Sequence, residues 1–130
     1  MSAKKILVVD DDPSIREILS IQLARLGYEV STAADGQEAV EVFKTFAPDA
    51  ILMDLMMPRV DGLASCQQIR AAEKKSGAKR TPVLFLTARD STHDKTSAAL
   101  SGGDEFVAKP VSIQELRERL EAVFLKKGRA

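Results

Sequence analysis

Short apolar runs alternate with longer amphipathic stretches along the whole chain. The runs at 5–9, 28–33, 50–53, 82–86 and 105–108 are mostly continuous Val, Ile, Leu and Phe rather than alternating apolar and polar. Continuous runs suit strands buried on both faces of a parallel sheet. The stretches between them carry helical spacing. Ile15, Ile18, Leu19, Leu23 and Leu26 share one face of the first, and Gly27 is placed to end it. The second pattern spans 36–46, with Ala39, Val40 and Phe43 on one side. The third covers 62 to about 75 and runs into a basic, glycine-containing loop at 76–80. A fourth runs from about 91 to 100. The fifth opens on Ser112-Ile113-Gln114-Glu115, a capping box, with Leu116, Leu120 and Val123 sharing a face. Strand followed by helix, five times over, predicts an α/β fold. It should be a doubly wound sheet of five parallel strands with helices on both faces, and a ligand should sit beyond the carboxyl ends of the strands.

Composition narrows the chemistry more than the fold. The 130 residues are expected to form one domain, 1–130, with a single core and no output domain. Lys and Arg number 19 against 19 Asp and Glu, and the sequence pI is about 6.6, so bulk charge gives no reason to expect nucleic acid or an anionic membrane as partner. One Cys excludes an internal disulfide framework, and one His excludes multi-histidine metal sites and leaves little for a Ser-His-Asp triad. No window approaches the ~20 uninterrupted apolar residues of a membrane span. Met-Ser-Ala-Lys-Lys leads straight into a strand pattern rather than a signal peptide, so the expected location is cytoplasmic.

The informative residues stand where the strands stop. The first ends in Asp10-Asp11-Asp12-Pro13, the third in Asp54, the fourth in Thr87 and the fifth in Lys109-Pro110. The predicted fold gathers these distant positions at one rim. Asp12, before Pro13, suits a helix cap. Three further carboxylates converging there repel each other unless a cation neutralises them, and a hard divalent ion with oxygen ligands, Mg2+ above all, meets that demand. A lysine ammonium and a threonine hydroxyl beside such a cluster are the donors needed to hold a tetrahedral oxyanion. The chemistry implied is phosphoryl transfer onto a carboxylate.

Four motifs in this order resemble the response-regulator receiver domains of two-component signalling, of the single-domain, chemotaxis-regulator type. They are Ile6-Leu7-Val8-Val9-Asp10-Asp11; Ile51-Leu52-Met53-Asp54-Leu55-Met56-Met57-Pro58 with Asp61-Gly62; Leu86-Thr87-Ala88; and Val107-Ala108-Lys109-Pro110. The resemblance covers essentially the whole chain. It implies a flavodoxin-like (βα)5 three-layer sandwich with strand order 2-1-3-4-5. It also implies that Asp54 is the phosphoacceptor, taking its phosphoryl group from a histidine kinase or histidine phosphotransfer protein. Asp11 then matches a direct Mg2+ ligand, with Asp10 holding the ion largely through water and Asp54 and the Met56 backbone carbonyl supplying further oxygens. Thr87 matches the hydroxyl, and Lys109 the ammonium, that engage the phosphoryl oxygens. Phe106 falls at the aromatic switch position. Met56 and Arg89 stand where the lifetime of the phosphorylated state is tuned, bulky Met56 being expected to shield the acyl phosphate from in-line water. Phosphorylation is expected to change the surface of the fourth helix, fifth strand and fifth helix for an effector protein, or for an output domain outside this chain. The domain is expected to be no enzyme, and a monomer or weak phosphorylation-dependent dimer.

Competing readings are weaker. Gly102-Gly103-Asp104-Glu105-Phe106 spells the diguanylate cyclase signature, but it falls at the entry to the fifth strand, where two glycines suit a tight turn. A haloacid dehalogenase phosphatase needs a second Asp two residues after the nucleophile, where this chain has Met56. A flavodoxin electron carrier would meet acids after its first strand that repel FMN phosphate. His93 is expected at the exposed start of the fourth helix, and Cys66 on a covered face of the third, both without chemistry. The nearest rival is the same fold used as an unphosphorylated protein-docking module.

Overall fold

The computed structural model describes residues 3–54, 62–77, 80–87, 104–108 and 112–129. Five strands form one parallel sheet: β1 (Lys5–Val9), β2 (Glu29–Ala33), β3 (Ala50–Asp54), β4 (Val83–Thr87) and β5 (Glu105–Ala108), in the order β2-β1-β3-β4-β5. The described helices are α1 (Pro13–Arg25), α2 (Gly36–Phe46), α3 (Gly62–Ser76) and α4 (Ile113–Arg129), the last being the fifth helical pattern of the sequence. The fourth pattern, 91–100, lies outside the described residues. This is the doubly wound, three-layer arrangement that the alternation predicts.

Alternation along the strands divides the core in two. Leu7, Val9, Ile51, Met53, Val83 and Phe85 pack on one face of the sheet against Ala39, Cys66 and Ile69 from α2 and α3. Ile6, Val8, Leu52, Leu84 and Leu86 pack on the other against Leu19 and Leu23 of α1 and Leu116 and Leu120 of α4. The central strands β1 and β3 are therefore apolar at every buried position except Asp54, where β3 ends. Edge strand β2, Glu-Val-Ser-Thr-Ala, is covered only in part.

Local chemistry sets the helix ends. Asp12 Oδ1 accepts from the Ser14 amide at 2.8 Å and Pro13 follows it, a start that needs no amide from the first helical residue. At the other end Gly27 adopts φ 96, and the Tyr28 and Gly27 amides return to the Leu23 and Ala24 carbonyls, a Schellman ending that only glycine enters without strain. Asp35 caps α2 through the Glu38 amide at 2.8 Å, while Glu38 reaches back to the Ala34 amide. Ser112 Oγ accepts from the Glu115 amide at 3.0 Å at the start of α4.

One expectation fails on α1. Ile18 is 50% exposed and is not part of the buried face with Leu19 and Leu23. At 100° per residue, Ile15, Leu19, Leu23 and Leu26 fall within an arc of about 80°, whereas Ile18 lies about 60° outside it. It pairs instead with Ile21, 47% exposed, one turn along. Among the described residues no helix is long and apolar enough to cross a membrane.

Candidate functional site at the carboxyl end of the sheet

The register of β1 on β3 builds the site. Their pairs run from Ile6 opposite Ala50 to Val9 opposite Met53, and one step further along come Asp10 and Asp54. Two carboxylates thus leave neighbouring strands side by side, buried to 2% and 7% exposure. Asp54 is itself the last residue of β3, one position beyond the apolar run, so the strand rather than a loop presents it. Asp11 follows on the exposed turn into α1. One carboxylate oxygen from each of Asp10, Asp11 and Asp54 lies within 4.8 Å of the others.

The β1–α1 turn that carries two of these acids is tied down atom by atom. The Asp10 amide donates to the Ala33 carbonyl at 3.2 Å, extending the sheet by one bond. Asp10 Oδ1 accepts from the Asp12 amide at 2.9 Å. Arg16 reaches back from the first turn of α1, and its Nη1 donates to the Asp10 carbonyl at 2.7 Å. Sequence reading missed Arg16: a charged residue inside a helical pattern reads as solvated surface, and only the fold shows its fork turned toward the strand end.

The structure thus brings together the acidic part of the predicted site. The backbone of Thr87 closes β4 opposite Ala108. The side chains of Thr87 and Phe106, and Met56, Arg89, Lys109, His93, Gly102 and Gly103 as a whole, lie outside the described residues. Cys66 is buried against the sheet. Burial pushes its thiol above the usual cysteine range, which keeps it protonated and unreactive.

The donor set fits a magnesium ion. Its atoms are all carboxylate oxygens, two from buried residues and one from an exposed residue that leaves an open side for water. Mg2+ takes oxygen ligands, typically one or two direct carboxylates with further contacts through retained waters, whereas zinc prefers nitrogen and sulfur. Three carboxylates with oxygens within 4.8 Å, two of them on buried residues, also form a place that favours a cation electrostatically.

A family model described as response regulator receiver domain matches residues 6–121. The chain belongs to the receiver domain family. Receiver domains act as signalling switches rather than as enzymes. The probable transcriptional regulator ycf27 of Porphyridium aerugineum is 40% identical over 130 residues, which is all of this chain and 52% of that protein. The receiver thus spans about half the length of the curated relatives it matches. Among solved structures it resembles the chemotaxis protein CheY4 of Vibrio cholerae, with a TM-score of 0.86 and 35% identity over 94% of this chain and 99% of that one. It also resembles the receiver domain of the sensor histidine kinase PA1611 of Pseudomonas aeruginosa PAO1, solved with a magnesium ion in its active site cleft (TM-score 0.82, 34% identity, 93% and 97% covered). A third neighbour is the receiver domain of Saccharomyces cerevisiae Ssk1, crystallised with the phosphotransfer protein Ypd1 (TM-score 0.84, 31% identity, 91% and 86% covered).

Proposed function

We propose that this receiver domain is a phosphorylation-operated switch in which Asp54 accepts a phosphoryl group from a phosphohistidine donor. The carboxylate cluster of Asp10, Asp11 and Asp54 carries the reading, together with membership of the family. An Asp54 oxygen attacks phosphorus, the P–O bond forms as the P–N bond of phosphohistidine breaks, and the imidazole leaves with the bonding pair and takes up a proton. Mg2+, when bound, supplies positive charge against the transferring oxygens. Asp11 would hold the ion directly and Asp10 largely through water, with Asp54 and the Met56 carbonyl as further protein oxygens. Thr87 and Lys109 engage the phosphoryl oxygens. Their shift passes through Phe106 to the surface of β5, α4 and the helical pattern at 91–100, where an effector binds. Met56 and Arg89 set how long the acyl phosphate lasts. These residues form one receiver unit, and its output lies in a cytoplasmic partner protein or a segment outside the 130 residues.

Mass spectrometry after incubation with acetyl phosphate and MgCl2 tests this. One phosphoryl group on the wild type and none on Asp54→Asn is the expected result, and beryllofluoride should shift amide resonances only where Asp54 is present. No adduct under either condition favours the docking module instead.

The donor would dock on α1. α1 starts at the acidic rim and exposes Ile18 and Ile21, two of the three exposed large apolar side chains among the described residues. An exposed apolar pair on the helix that starts at the acidic rim suits a protein donor. Ile18→Lys is expected to slow transfer from a phosphohistidine protein about tenfold or more, a loss of roughly 1–2 kcal/mol in docking. Phosphorylation by acetyl phosphate should be unchanged. Equal slowing with both donors would place the defect in the site rather than in docking.

A further inference from the structure

We infer that Arg16 is a positioning residue for the magnesium site, acting through the main chain of Asp10. The inference rests on the proposed function, since it concerns the same carboxylates. β1 ends at Val9, and the Asp10 carbonyl lies beyond the last paired residue of the strand. A carbonyl at a buried strand end requires a donor. Arg16 Nη1 supplies it at 2.7 Å across six residues of chain. The Asp10 side chain is held in turn by the Asp12 amide at 2.9 Å, and Asp12 caps the helix on which Arg16 stands. The loop from Asp10 to Arg16 is therefore closed by three bonds: Arg16 to the Asp10 carbonyl, the Asp12 amide to Asp10 Oδ1, and the Ser14 amide to Asp12 Oδ1. Cutting the first frees the peptide plane that carries both Asp10 and Asp11. Arg16 itself is anchored in the first turn of α1, where its own amide donates to the Asp12 carbonyl at 3.1 Å.

Arg16 exerts two effects on a divalent cation, and they have opposite signs. Its positive charge beside the cluster repels the ion. Its hydrogen bond holds the ligand-bearing turn in shape, so that binding does not have to order it. The guanidinium meets the Asp10 carbonyl rather than a carboxylate oxygen and so does not compete with the ion for a ligand atom, which makes the positioning effect the larger. Partners that orient metal ligands typically contribute about 10–100-fold in metal affinity.

Mg2+ titration of 15N-labelled protein, followed through backbone amide shifts, tests the inference on Arg16→Met and Arg16→Lys. Arg16→Met is expected to weaken Mg2+ binding about tenfold. It should also speed hydrogen exchange of the Asp12 amide in the metal-free protein. Arg16→Lys keeps the charge and one donor and should restore most of the affinity, remaining about two- to threefold weaker than wild type on the same scale. If charge alone matters, Arg16→Met binds Mg2+ more tightly than wild type, which overturns the inference, as does equal affinity. Should Arg16→Met lose its dispersed spectrum, Arg16→Lys decides alone: affinity equal to wild type overturns the inference, weaker binding supports it. A wild type that shows no Mg2+-dependent shift defeats the proposed function instead. Beryllofluoride added at saturating Mg2+ separates the two, because a misplaced turn lowers metal affinity while leaving Asp54 able to form the adduct.

Discussion

Replacing Arg70 with methionine is expected to destabilise this domain by about 3 kcal/mol and to lower its melting temperature by roughly 10 °C. Arg70 stands on α3, at the end of the sheet away from the acids, and one guanidinium there serves three elements. Its Nη1 donates to Glu73 Oε1 at 2.9 Å and to the Thr81 carbonyl at 2.6 Å, and its Nη2 donates to Asp104 Oδ2 at 2.8 Å. Glu73 is 5% exposed, and its other oxygen accepts from the Thr81 amide. Asp104 accepts from the Val83 amide at 2.9 Å and from Arg80, so the same cluster fixes where β4 and β5 begin. Methionine fills most of the volume but leaves the Glu73 charge buried without its guanidinium, and that uncompensated charge is the main cost. The double variant Arg70→Met, Glu73→Gln should recover about 1 kcal/mol or more, since glutamine can still accept from the Thr81 amide without carrying the charge. Urea denaturation of the two variants measures both quantities. A double variant no more stable than the single one would show that the loss comes from packing or from Asp104 rather than from the stranded carboxylate.

That cluster marks the limit of what the sequence disclosed. The strands and helices were legible because burial on both faces leaves continuous apolar runs, and because Asp12, Gly27 and Ser112 each carry local chemistry that starts or stops a helix. The acids of the site were legible for a topological reason: in a parallel sheet, residues at successive strand ends must meet, so Asp10 and Asp54 could be paired before their register was known. Ile18 misled because a helical face read from spacing alone does not say where its edge lies, and only the 60° between Ile18 and Ile15 decides burial. Arg70, Glu73 and Arg80 sit in stretches whose composition reads as solvated charge, and their partner Asp104 sits inside a string that spells an unrelated signature. Little local distinguishes such residues from surface ones, because apart from the Arg70–Glu73 pair their partners lie between 8 and 34 residues away along the chain. Arg16 escaped notice similarly, its acceptor being a main-chain carbonyl, which has no side-chain identity to read.

The charges that make the site useful should also make it a weak point of the metal-free protein. Asp10, Asp11 and Asp54 present oxygens within 4.8 Å of one another. At that separation each pair of negative charges repels by about 3 kcal/mol when the effective dielectric constant is near 20. Folding without a cation works against this repulsion to the extent that no other group of the protein offsets it. Asp54→Asn removes one charge while keeping size and shape, and in EDTA it is expected to be more stable than wild type by about 1–2 kcal/mol. Adding MgCl2 should reverse the order. The wild type gains RT ln(1 + [Mg2+]/Kd), about 2.7 kcal/mol at a hundredfold excess over Kd, while the variant, with one ligand charge gone, gains little. Urea denaturation at fixed pH, with and without the ion, gives all four stabilities. A metal-free Asp54→Asn protein no more stable than wild type would mean that the repulsion is already balanced by groups of the protein itself. A variant that gains from Mg2+ as much as wild type would remove Asp54 from the ion's ligands. The crossover, if found, would tie stability to the proposed function through a single carboxylate, whose charge would both destabilise the empty fold and attract the cation.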